Sequence, residues 1–347
     1  MSVTMQDIAD DLNLSVVTVS KVLRRTGKFS LKTRERVLQR AKELDYRANW
    51  AARSLVTRRT LTVGLLLPDF RHSFFAEIAE TIAHTLRPHH YHVITSYFDE
   101  DPEMEKDEAE ALIDRQVDGL IIASSQPSAD APFFERMRKS KLPLVLIDRL
   151  IEAQDFNFVG VDNRKIGKLA AEHLLAQNCH RIACLRGPMM RIADDRLNGC
   201  RQALETTGLD LPESNIVVAG YGDVSGYEAM RKLLNTQPIP DGVVCFNDPV
   251  AIGAIRAIRD AGLNVPHDVA VVGAGNIHYS DLLVVPLTTI DQGTKETGKR
   301  AAELLFAQIT SKDRFEAKTM LIAPKLVIRQ SSQRLVARDP GSSVSST

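Results

Sequence analysis

The sequence predicts two fold classes in one chain of 347 residues. A small all-α helix-turn-helix domain comes first, followed by an α/β body of two doubly wound parallel-sheet lobes. Three observations carry this expectation. Residues 4–23 spell two short capped helices that share one apolar cluster. From residue 61, short apolar runs alternate with helical patterns at roughly 30-residue spacing, the rhythm of parallel sheets covered by helices. Charge is also divided: residues 1–60 hold thirteen Lys or Arg against six Asp or Glu, whereas the remainder holds 31 against 38. A positive end on an acidic body points to nucleic acid as a partner, which whole-chain neutrality conceals.

Thr4 and Ser15 are hydroxyl residues placed to accept the backbone N–H groups that a helix start leaves unpaired. Asp7, three residues after Thr4, gives capping-box spacing with an acid in place of Glu or Gln. Ile8, Ala9, Leu12, Leu14, Val19 and Val22 form one cluster only if the second helix turns across the first. Asn13 stands in the turn, where a residue that tolerates left-handed backbone is useful. Val16, Val17, Ser20 and Lys21 fall on the side away from Val19 and Val22. Against a major groove, branched apolar side chains contact thymine methyls while Lys21 reaches a guanine edge or a phosphate; the alternative is a solvated helix with two stray valines. A third helix starts at Ser30, with Val37, Leu38, Ala41 and Leu44 inward and Lys32, Arg34, Arg36 and Arg40 outward.

In the body, 61–67 is a nearly continuous apolar run, as expected of a strand buried on both faces. Helix over 73–89, strand 91–97, helix 102–115, strand 117–123, helix 132–140 and strand 143–147 complete the first set. The second set runs as strand 158–161, helix 163–177, strand 181–186, helix 193–207, strand 216–219, helix 225–234, strand 242–246, helix 249–261 and strand 269–272. Two such sets suit two lobes facing a cleft. Ligands of open α/β sheets gather beyond the carboxyl ends of the strands. There the chain places Asp69 to Ser73, Asp148-Arg149, Asp162-Asn163, Arg191 to Arg196 and Asn247-Asp248, with Phe74, Phe75 and Tyr221 nearby. Aromatic faces with Asp, Asn and Arg suit a hydroxylated molecule such as a sugar. Arg196 is the strongest candidate, since its planar fork can grip two ligand oxygens. A surface pair with Asp194 or Asp195 is the competing reading.

The motifs Val3-Thr4-Met5-Gln6-Asp7-Ile8-Ala9, Ser15-Val16-Val17-Thr18-Val19-Ser20-Lys21-Val22-Leu23, Thr33-Arg34-Glu35-Arg36-Val37 and Leu44-Asp45-Tyr46-Arg47-Ala48-Asn49 resemble the lactose-repressor/galactose-repressor family, and the match extends to about Gln330. The resemblance implies a DNA-facing set of Thr4, Gln6, Ser15, Val16, Val17, Thr18, Ser20, Lys21, Arg34, Asn49, Ala52 and Leu55. Within it Val16, Val17 and Lys21 read bases, while Gln6, Arg34 and Asn49 hold the backbone or its approach. Asn49 to Leu55 resembles the family's hinge helix, in which Leu55 wedges into the minor groove. Ala48 replaces the proline usual before the asparagine. The body is implied to be periplasmic-binding-protein-like, crossing between lobes near 158–162, 287–293 and 317–322. Effector contacts are implied at Phe74, Phe75, Asp148, Arg149, Arg191, Arg196, Tyr221, Asn247 and Gln292. Where the family usually has an aromatic and an acid, this chain has Ala274 and Gly275, which leaves room for a bulkier or more anionic effector.

The expected organisation is a helix-turn-helix domain over 1–48, a hinge and linker over 49–60, a two-lobed effector and dimerisation domain over 61–335 and a polar tail over 336–347. Enzymatic readings find no support: 160–169 has the wrong glycine spacing for a phosphate loop, with Leu169 where a hydroxyl belongs. His89, His90 and His92 lack a wider ligand set. Cys179, Cys184, Cys200 and Cys245 form no CxxC pair and fit a reducing compartment. No apolar run reaches a membrane span, and Met1 leads straight into the first capped helix without an export segment. A periplasmic-type solute-binding protein is therefore the disfavoured alternative. The expectation is a cytoplasmic repressor that needs no cofactor or metal. It would act as a homodimer on a near-palindromic operator, controlled by a carbohydrate-like effector. The tail lacks the leucine heptads that build tetramers.

Overall fold

A computed structural model describes residues 3–23, 26–46, 59–70, 73–126, 131–151, 156–311 and 316–334. The chain divides into two compact units, Met1–Thr60 and Leu61–Thr347.

In the first unit, helices α1 (Met5–Leu12), α2 (Val16–Leu23) and α3 (Leu31–Glu43) surround one cluster. Thr4 caps α1 through a full capping box: its hydroxyl accepts from the Asp7 amide, and its own amide donates to Asp7 Oδ2 at 2.7 Å. Asn13 ends the helix in the left-handed region at φ 51°. Ser15 accepts from the Thr18 amide at 3.1 Å, and Ser30 accepts from Thr33 in the same way. Ile8, Ala9, Val19, Val22 and Val37 are buried, with Leu12, Leu14, Ala41 and Leu44 packed around them. Leu38 departs from the expected inner face, being 44% exposed. One residue of helix is a rotation of about 100°, so the stripe through Val37, Ala41 and Leu44 carries Leu38 outward.

The second unit holds two six-stranded sheets. Its strands are β1 (Thr62–Leu67), β2 (His92–Tyr97), β3 (Gly119–Ile122), β4 (Leu144–Ile147), β5 (Asn157–Val161), β6 (Ile182–Arg186), β7 (Ile216–Val218), β8 (Gly242–Cys245), β9 (Ala270–Gly275), β10 (Thr288–Asp291), β11 (Thr319–Ile322) and β12 (Lys325–Val327). The first sheet runs β11-β5-β4-β3-β1-β2 and is parallel throughout; the second runs β12-β10-β9-β8-β6-β7, with only β12 antiparallel. Helices α4 (Ser73–Leu86), α5 (Pro102–Asp114), α6 (Ala131–Ser140) and α11 (Thr294–Thr310) cover the first sheet. The second is covered by α7 (Asn163–Ala176), α8 (Arg191–Glu205), α9 (Asp223–Leu234) and α10 (Asp248–Asp260).

Strand alternation explains the unbroken apolar runs. Val63, Leu65 and Leu67 enter the core beneath α4 and α11, while Leu66 enters the opposite core with Phe98, Leu112, Phe133 and Phe134. In the second sheet, Ile182 and Cys184 face α7 and α8, and Ala183 and Leu185 face α9 and α10. The chain passes between lobes at β5 to α7, at β10 to α11 and at β11 to β12. The last crossing falls just beyond the expected 317–322. Four regular elements beyond residue 275, namely β10, α11, β11 and β12, add to those the sequence pattern predicts. The α11 pattern was there to be read: Ala301, Ala302, Leu304 and Leu305 line its buried side.

Two helix pairs touch backbone to backbone through glycine. A Cβ on Gly167 of α7 would lie 1.8 Å from Arg196 O, and one on Gly199 of α8 would lie 1.9 Å from Arg164 O. Gly226 and Gly253 pair α9 with α10 in the same fashion.

All four cysteines are buried and unbridged, with Cys184 and Cys200 sulfurs 3.3 Å apart. Burial pushes Cys179 up to about 11 and raises Cys245 further. Buried, protonated thiols are poor nucleophiles. Native protein should therefore react slowly with Ellman's reagent and release the full complement of four only after denaturation; fast native labelling of any one contradicts this packing. Among the described residues no helix is long and apolar enough to cross a membrane.

Candidate functional site

In the first unit, α2 presents Val17, 61% exposed, and Lys21, also exposed, one turn apart on the same face, with Ser20 half-buried between them. Val16 was expected beside them. It instead packs half-buried against the three-helix cluster, because the first turn of α2 crosses close over α1. Ser15 and Thr18 are engaged in the cap, their hydroxyls 2.9 Å apart. Gln6 donates to Asp10 Oδ1 at 2.7 Å along α1. Arg34 is half-buried on α3, and Arg40 is held by Asp11 and Glu43. Asn49, Ala52 and Leu55 lie outside the described residues, as does the implied hinge helix.

In the second unit, the carboxyl ends of both sheets open onto a cavity of about 790 Å³. The first lobe supplies Asp69 after β1, Phe74 and Phe75 from α4, Asp99 and Glu100 after β2, and Asp148 with Arg149 after β4. The second supplies Met190, Ile192 and Arg196 around α8, Tyr221 after β7, Phe246 and Asn247 after β8, and Ala274 with Gly275 at the end of β9. Gln292 joins them after β10. Asp99, Glu100 and Asp148 take left-handed backbone, with φ of 47°, 61° and 61°. Such residues cost about 1–2 kcal/mol each and collect where strand ends must turn side chains into a site.

Arg196 is the centre of the arrangement. It is buried, its Nε donates to Asn163 Oδ1 at 2.9 Å, and Nη2 donates to Gln292 Oε1 at 2.9 Å. Nη1 donates to the Phe246 carbonyl at 2.5 Å, and the guanidinium lies 4.9 Å from the Phe246 ring centre. Burial draws Arg196 down to about 10, with the charges of Asp148 and Asp248 opposing. The competing surface pair does not form: Asp194 binds Arg186, and Asp195 faces Arg164 and Arg191. Asn163 and Gln292 flank two of the three interlobe crossings, so one guanidinium ties the cavity wall to the segments that must bend if the lobes move.

Arg149 is gripped bidentately by Glu100, at 2.7 and 2.6 Å, and donates to Ser125 Oγ. Burial works to lower Arg149, but the Glu100 hydrogen bonds and charge outweigh it and leave the guanidinium above its ordinary value. Burial raises Asp148 above the usual carboxylate range, although Arg149 and Arg196 pull it back. Tyr221 is pushed up to about 12 by burial. Asn247 caps α10 by accepting from the Val250 amide, and its amide nitrogen donates to the Tyr221 carbonyl. Behind this wall, buried Asp248 accepts from the Ile277 amide and the Ser280 hydroxyl.

The structure thus gathers Phe74, Phe75, Asp148, Arg149, Arg196, Tyr221, Asn247 and Gln292 around one cavity. Arg191 is not among them. It lines an adjoining cavity of about 700 Å³, its Nε 3.6 Å from Asp195 Oδ2. At the start of α8, residues 191 and 196 are five positions apart, about 140° around the helix, so Arg191 turns to the adjoining cavity, which shares Glu100, Asp148, Arg149 and Tyr221 with the first. Glu100 was missed by sequence reasoning. Its place just after a strand and before the capped helix α5 was the available signal, but its partner lies 49 residues away.

Residues 4–49 match the family model of bacterial regulatory proteins, lacI family, and residues 171–332 match that of a periplasmic binding protein-like domain. The chain is 34% identical over 332 residues to the ribose operon repressor of Halalkalibacterium halodurans, covering 95% of this chain and 97% of that one. Among solved structures it is similar to the lac repressor dimer bound to operator and the anti-inducer ONPF. There the TM-score is 0.85 and the identity 26%, with 96% of this chain and 100% of that chain covered. A LacI family regulator from Enterococcus faecium with bound ribose is also similar, with TM-score 0.70, 28% identity, and 79% and 99% coverage.

Proposed function

The chain belongs to the lacI family of bacterial regulatory proteins, and from that premise we propose that it is a sequence-specific transcriptional repressor controlled by a small molecule held between its two lobes. Its partners on this reading are operator DNA, a sugar-like effector and a second copy of itself, since paired helix-turn-helix domains match two half-sites. It acts in the cytoplasm and regulates rather than catalyses. Helix α2 reads the major groove, with Val17 toward a thymine methyl and Lys21 toward a base edge. Leu55 is the minor-groove wedge, and Asn49 caps the helix that carries it.

The observation that carries the regulatory half is the Arg196 junction. A ligand that recruits this guanidinium competes with, or adds to, bonds to Asn163 and Gln292 at two lobe crossings. Ligand occupancy is thereby converted into a lobe angle, and the lobe angle into the spacing of the paired linkers. Coupling of this kind is typically about 1–3 kcal/mol.

Fluorescence anisotropy on promoter fragments tests the DNA half. Binding should weaken steeply with salt. Lys21→Ala should lose about 1–3 kcal/mol on the preferred operator and little on random duplex. Equal losses on both would reduce Lys21 to a phosphate contact, and no salt-sensitive binding at all would sink the repressor reading.

A further inference from the structure

Deepening the effector reading, on which it rests, we propose that the cavity selects a molecule whose polar groups donate protons, hydroxyls or an ammonium, and rejects phosphorylated or carboxylated ones. Among the described lining residues, Asp69, Asp99, Glu100, Asp148 and Asp223 bring five carboxylates, against the two guanidiniums of Arg149 and Arg196. An ionised carboxylate only accepts hydrogen bonds, so a complementary ligand must be rich in donors.

Both guanidiniums are already largely committed to protein acceptors. Both terminal nitrogens of Arg149 bond Glu100 or Ser125, and its buried Nε, which makes no hydrogen bond, lies 3.8 Å from the Asp148 carboxylate rather than open to an anion. Each of the three nitrogens of Arg196 already donates to a protein acceptor. Position 275, where the family's acid usually stands, is glycine, yet the acidity has not been lost. Four of the five carboxylates sit on the first lobe, at the ends of β1, β2 and β4, and Asp223 at the start of α9 is the one on the second. The second lobe offers a mainly apolar wall of Met190, Ile192, Phe246, Ile252 and Leu283, opened further by Ala274 and Gly275. The occupant is therefore polar and donor-rich on one side and apolar on the other, as a neutral or amino sugar is. An effector made more anionic, which the missing acid at 275 had suggested, meets like charge instead.

Isothermal titration of the full-length protein with matched probes tests this. The sets are glucose, glucosamine, glucose 6-phosphate and glucuronate, with ribose and ribose 5-phosphate, extended to galactose and its derivatives. A probe bound in its neutral or amino form should bind at least about 100-fold more weakly once phosphorylated or oxidised to the acid, the scale of juxtaposed like charges. Arg196→Met, or Phe74→Ala if the first does not fold, should abolish that binding and so place it in the cleft. A phosphate or acid that binds as tightly as its neutral parent overturns the charge preference while leaving the effector reading intact. Binding that survives both variants overturns the site. If no probe in any charge class binds, the carbohydrate effector reading fails, and this proposal fails with it.

Discussion

Arg196→Ala should abolish the response to effector while leaving effector-free operator binding within about threefold of wild type. In its buried position the guanidinium makes three bonds to protein, and on the proposed reading it meets the effector through the two N–H donors those bonds leave over. Losing a charged, bidentate contact costs roughly 3 kcal/mol, about 100-fold in affinity. Arg196→Lys keeps the charge and most of the volume, but one ammonium cannot span Asn163 and Gln292 as the fork does. It should bind effector with intermediate affinity and transmit less of the signal to DNA. Titrating operator binding against effector for all three proteins separates these effects. An unchanged midpoint and amplitude in the alanine variant removes Arg196 from both recognition and transmission.

Gly253→Ala should destabilise the second unit by about 3–5 kcal/mol, at the upper end of the penalty for overpacking. The added methyl would stand 1.9 Å from the Asp223 carbonyl and 2.6 Å from the Tyr227 amide, both main-chain atoms of α9 that have no rotamer to change. Helices α9 and α10 must then separate along their whole contact, which opens the core around Ala229, Met230, Val250 and Ala254. Thermal melting followed by circular dichroism should show a fall of roughly 10 °C or more. Gly222→Ala is the control: a Cβ there meets nothing within 4 Å, so only the roughly 0.5–1 kcal/mol loss of a poorer N-cap on α9 is expected, a fall of a few degrees at most. A mild Gly253→Ala phenotype would mean the two helices are not packed this closely.

The same close approach has a functional consequence at α7 and α8. Gly167 and Gly199 let these helices meet at the backbone, and that contact brings Asn163 within 2.9 Å of Arg196. A larger residue at either position pushes the crossing segment away from the guanidinium. Substitution there should therefore disturb effector response as well as stability.

Much of this could be read from the chain because the signals are local. Capping at Thr4, Ser15 and Ser30 depends on residues three apart. Strands buried on both faces show themselves as unbroken apolar runs, and strand ends mark where ligand groups collect. The errors have equally physical origins. Leu38 was put inside because a short helix offers neighbouring apolar residues, and only the packing angle decides which one faces in. Val16 was put outside for the same reason. The resemblance puts Arg191 beside Arg196, whereas helix rotation turns it to the adjoining cavity, which shares Asp148, Arg149 and Tyr221 with the first.

By itself, then, the order of residues specified the element sequence as far as β9, the charge division between the two ends and the strand-terminal residues facing the cleft, since each follows from periodicity or composition over short stretches. Tertiary structure alone decided that Arg196 is tied to Asn163 and Gln292, that Glu100 neutralises Arg149, and that glycine pairs set the helix spacing. Those outcomes depend on contacts between residues tens of positions apart, and such contacts exist only once the two sheets have closed around their cores.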